Sequence, residues 1–133
     1  MTMTNSLRGL VLAQAVIFAA AFNAFAAPAD YAFKIIESEL HPGDGVTIAV
    51  SLTDLRTNMP VTDAVIFTTR LDMAPDGMEA MTAPVEAMPS DIPGQYKFKV
   101  DLTMAGNWRF QIAAKVQGEA ETVQGELILG VQK

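Results

Sequence analysis

The chain has 133 residues, no cysteine, one histidine, and 9 Lys+Arg against 15 Asp+Glu, a formal net charge of −6. An acid excess of this size argues against nucleic acid as a partner, because such binding is carried by cationic contacts to phosphate. The missing thiols exclude disulfide bracing, a thiolate nucleophile, thiolate metal sites and type 1 copper.

The first 26 residues have the layout of a secretory signal peptide. Arg8 is the lone cation, Gly9 to Phe22 is an apolar run, and Ala24-Phe-Ala26 sets small residues around a cut site. Cleavage is expected after Ala26, giving a periplasmic or otherwise exported chain. The alternative is a retained anchor, for which the run is short against the roughly 20 residues that span a bilayer. Removing the peptide takes Arg8 and no acid, leaving a net charge of −7. Residues 27–133 then have room for one domain, with no second stretch that could cross a membrane.

From Tyr31 onward apolar residues alternate with polar ones at strand spacing. The inward faces read, in chain order, as Tyr31, Phe33 and Ile35; Val46, Ile48, Val50 and Leu52; and Val65, Phe67 and Leu71. After these come Tyr96, Phe98, Val100 and Leu102; Trp108, Phe110, Ile112 and Val116; and Val123, Leu127 and Leu129. A weaker run from Met81 to Ala87 is interrupted by Pro84, which suits an edge strand. Turn residues separate the runs, at His41–Gly45, Thr57–Pro60, Ala74–Gly77, Pro89–Gly94, Ala105–Asn107 and Gln117–Glu119. About seven short strands with turns between them predict an all-β, immunoglobulin-like sandwich of two antiparallel sheets, with a small closed barrel as the alternative.

The segment Leu71–Met81 holds three methionines and three acids around a Pro-Asp-Gly turn. Thioether sulfur is a soft, uncharged ligand that sheds no proton on binding, and soft ligands favour Cu(I). If every connection reverses direction, alternate loops gather at one end. His41, the cluster Met73, Met78 and Met81, and Met104 then share a pole, with Met59, Met88 and the turn near Gly118 at the other. Parity also turns Met73 and Met104 inward and makes Trp108 a core aromatic, with an indole face at the rim as its sharper role.

This order of segments resembles the YtkA-like/FixH-like family of small exported or membrane-anchored bacterial domains. The resemblance is carried by Pro42–Asp54 (PGDGVTIAVSLTD), Met59–Val65 (MPVTDAV), the methionine turn 73–81, Gly94-Gln-Tyr96 and Leu102–Trp108 (LTMAGNW). It implies an immunoglobulin-like sandwich found among copper-handling systems and in cytochrome oxidase assembly, with Met73, Met78, Met81 and Met104 as the residues that carry over. Relatives often place histidine within the turn; here acids stand there, and the only histidine is His41.

The expected function is therefore an exported binder or relay of a soft metal ion, Cu(I), held by Met73, Met78 and Met81 with Met104 or His41 completing the site. Two other readings stay open for the methionines: Met73 and Met104 as fillers of the sandwich end, or a methionine surface for a partner protein. His41, beside Pro42, reads first as an exposed turn residue. Asp72, Asp76 and Glu79, with Asp44 nearby, read as a solvated acidic rim, since they lack the spacing of a calcium loop. No nucleophile elbow, zinc-helix motif or phosphate loop is present, so no enzyme is expected. A monomer is expected, with a protein partner in copper transfer, efflux or oxidase assembly. The alternative function is a non-catalytic interaction module of such an assembly, without a metal of its own.

Overall fold

The computed structural model describes residues 30–133; the expected signal peptide and its cut after Ala26 lie outside the described residues. Nine strands follow in order: β1 (Tyr31–Ile35), β2 (Gly43–Asp54), β3 (Met59–Pro60), β4 (Val65–Met73), β5 (Met78–Ala83), β6 (Val85–Met88), β7 (Gln95–Leu102), β8 (Gly106–Lys115) and β9 (Val123–Val131). They form two sheets, β1-β2-β7-β6 with β3 beside the end of β2, and β5-β4-β8-β9. Each strand pairing is antiparallel. The fold is the expected immunoglobulin-like sandwich.

The alternating residues meet between the sheets because each strand turns one face inward. Ile48, Val50, Phe98, Val100 and Leu102 of one sheet face Leu71, Trp108, Phe110, Ile112 and Leu129 of the other. Phe98 and Phe110 join the layers edge to face, 5.2 Å between centroids. A smaller cluster of Tyr31, Leu52, Val61, Val116 and Val123 closes the end away from the methionine turn.

Two expectations are corrected. The run Met81–Ala87 is not one edge strand: Pro84 separates β5, at the edge of the second sheet, from β6, at the edge of the first. A residue without an amide proton suits a place where the chain leaves one ladder for another. Val65 and Phe67 are also not inward. Ile66 pairs with Ala114 and Thr68 with Ala113, so Phe67 is the extra residue of a bulge. The bulge exposes Val65 and Phe67 and packs Ile66 against the core instead.

Candidate functional site

Strand β4 carries the methionine turn to one pole of the sandwich. Its last residue, Met73, is fully buried in the main core. Ala74–Asp76 then make one 3-10 turn, with Pro75 at its start and Gly77 in the left-handed region (φ 74°) where it ends. Met78 returns as the cross-strand partner of Met73. Asp72 pairs with Thr82, so Glu79, Ala80 and Met81 are three extra residues bulging from β5.

Asp72 anchors this bulge. Expected as part of a solvated rim, its side chain is completely buried, and that reading is corrected. It accepts hydrogen bonds from Arg70 Nε (2.7 Å), Arg109 Nε (3.1 Å), Arg109 Nη2 (2.7 Å) and the Ala74 amide (3.0 Å). Burial pushes the carboxyl up, but the bonds from Arg109, Ala74 and Arg70 outweigh it and hold the pKa down at about 2. The same two arginines reach the bulge: Arg70 Nη2 donates to the Glu79 carbonyl (3.3 Å), and Arg109 lies 3.6 Å from the Glu79 carboxylate. A buried acid thus starts the 3-10 turn and grips the segment bearing Met81.

The loop before β8 meets the same turn. Asp76 accepts from the Asn107 amide (2.8 Å) and from Asn107 Nδ2 (3.1 Å), and these bonds lower its pKa. Gly106 lies so close that a Cβ there would stand 2.7 Å from Met73 Cε. The Trp108 indole, buried in the core, donates to the Met104 carbonyl (3.1 Å) and fixes the loop from below. The Met104 side chain does not face inward as expected: it leaves the strand two residues after Leu102 and is 38% exposed.

The pole therefore gathers Met73, Met78, Met81 and Met104, with Met73 wholly buried and the other three 37–39% exposed. His41 is exposed on the same pole, between Leu40, bridged to Val131, and Gly43, paired with Leu102. Met59 sits at the opposite pole with Tyr31, Arg56 and the turn at Gly118. Among the described residues, no three His, Asp or Glu side chains gather in a way that would hold a hard ion.

A family profile described as YtkA-like matches residues 25–113. The chain belongs to the YtkA-like family. The match spans both halves of the methionine pole of this YtkA-like domain, the turn 73–81 and the loop 103–107. No curated protein matched the sequence. Solved structures similar to it include the filamin domain of Lin-41, 18% identical, covering 75% of this chain and 91% of that one, with a TM-score of 0.47. The ZirS C-terminal domain is 20% identical, with 80% and 68% coverage and a TM-score of 0.43. A conjugative transposon lipoprotein from Bacteroides eggerthii is 10% identical, with 75% and 96% coverage and a TM-score of 0.33.

Sequence reasoning named the methionines and placed Gly106 and Asn107 in a turn, but it missed Arg70, Arg109 and the grip of Asp76 on that turn. The Gly-Asn pair after Met104 was the one available signal. A glycine followed by an amide in a turn marks a backbone that another group approaches closely.

Proposed function

We propose that this domain is an exported, periplasmic Cu(I) carrier. Met78, Met81 and Met104 supply thioether sulfur from the open side of the pole, and Met73 supports them from the core side. The observation that carries the reading is the clasp of Asp76 on Asn107, which joins the two methionine-bearing loops. The donor set fits a soft ion, since the thioethers need lose no proton and three of them are open to solvent. Bound there, a soft ion would be passed on by ligand exchange with a protein partner of an efflux or oxidase assembly, and the domain itself performs no chemistry. The acidic surface speeds encounter rather than forming the bond.

The complete burial of Met73 favours a second reading for that residue, as a filler of the sandwich end beneath a methionine surface that docks a partner without metal. Competition against a chromophoric Cu(I) chelator separates the two. Near-stoichiometric capture is expected for the unaltered protein and loss of capture for the Met78→Leu/Met81→Leu/Met104→Leu variant, with an unchanged far-UV spectrum. Equal capture by both proteins removes these three thioethers as ligands, and no capture by the unaltered protein leaves the docking surface as the function.

A further inference from the structure

The methionines of the domain fall into two groups by access. Met73 is shut inside the core, with its methyl carbon under Gly106, whereas Met78, Met81 and Met104 at this pole stand 37–39% exposed, as do Met59 (61%) and Met88 (37%) away from it. None of the three rim side chains belongs to a core cluster. The buried methionine is thus closed to solvent reagents, and the three at the rim are open to them.

We infer that the rim methionines 78, 81 and 104 are a reversible oxidation site, and that their conversion to sulfoxides switches off Cu(I) capture while leaving the fold intact. The metal half of this inference rests on the proposed carrier function; the oxidation map does not. The reagent class is a two-electron oxidant such as hydrogen peroxide. A sulfur lone pair attacks one peroxide oxygen, the O–O bond breaks, the thioether becomes a sulfoxide and the other oxygen leaves as water. The product is polar and presents oxygen where a soft donor stood, so Cu(I) loses its preferred ligand. Methionine sulfoxide reductases reverse the change.

The test treats the purified full chain with hydrogen peroxide, maps oxygen gain by peptide mass analysis, and measures chelator competition and thermal melting before and after. Met78, Met81 and Met104, like the exposed Met59 and Met88 away from the rim, are expected to react well ahead of Met73, and a Met59→Leu/Met88→Leu variant should lose capture on oxidation just as the unaltered protein does. Capture should fall by about tenfold or more, the scale on which a disturbed ligand set loses metal. Melting should be nearly unchanged, and reductase treatment should restore capture. Met78→Gln/Met81→Gln/Met104→Gln, a polar mimic that cannot oxidise, should fold and capture poorly without treatment. Full capture with all three sulfoxides in place, or oxidation of Met73 at the same rate, overturns the inference. Failure of the untreated protein to take Cu(I) instead brings down the carrier reading and the switch with it, and is recognised before any oxidant is added.

Discussion

Gly106 is the residue with least freedom at the methionine pole. Its φ of 137° lies where side chains rarely go, and a Cβ would come within 2.5 Å of Asp76 Oδ2 and 2.7 Å of Met73 Cε. Gly106→Ala must strain the backbone and push the loop off the turn, so a stability loss of about 1–3 kcal/mol is expected in urea unfolding. Cu(I) capture should weaken with it, because Asp76 then no longer grips Asn107. Met73 tests the other side of the same contact. Met73→Ala empties a closed site and should cost about 2–5 kcal/mol, whereas Met73→Leu nearly conserves volume and should cost under about 1.5 kcal/mol. A leucine variant that folds normally and still captures Cu(I) identifies Met73 as support; one that folds normally and captures poorly identifies it as a ligand.

At the far pole a polar latch ties the β8–β9 hairpin to the strands of the other sheet. The Tyr31 hydroxyl donates to Glu119 (2.5 Å), and Arg56 Nη2 donates to both the Tyr31 oxygen and Glu119 (2.7 Å each) while also holding Asp54. Burial and the Glu119 contact push the phenol up to about 12. The folded chain therefore favours neutral Tyr31, and the stability this supplies is complete below pH 10 and lost as pH rises through about 12. Tyr31→Phe removes the bonds but not the ring, so it should cost about 1 kcal/mol and speed amide exchange at residues 117–121. Unchanged exchange there would mean that the hairpin needs no latch. Strand periods were legible wherever a face stays in register, from Val46 to Leu52 and from Trp108 to Ile112. They failed where an extra residue or a proline changes the count, at the Phe67 bulge and at Pro84, since a register slip of one reverses inside and outside. The pole itself was legible because alternating hairpins dictate which loops meet. The buried cluster was not, since Arg109 reaches Asp72 only through the pairing of β4 with β8.

Taken as a whole, the molecule carries more acid than base, yet its three described arginines are all engaged in ion pairs with acids. The acids they hold are the ones whose loss should decide acid stability. Asp72 has a folded pKa of about 2 against an ordinary 3.8. Its contribution is present above pH 4 and disappears as pH falls through about 2, because protonation releases Arg70 and Arg109. The shift corresponds to about 2 kcal/mol. Asp54, Glu119 and Asp76 are lowered as well, so they act in the same direction. Thermal melting should then hold steady from pH 7 to about 5 and fall steeply below 4. Asp72→Asn should lower the neutral plateau by about 2–3 kcal/mol, since two arginines lose their shared partner, and should flatten the acid limb. The variant should also free the Glu79–Met81 bulge, so its Cu(I) capture should drop at neutral pH even where folding is complete. A plateau and an acid limb that coincide with those of the unaltered protein would mean that the Asp72 cluster holds neither the fold nor the rim.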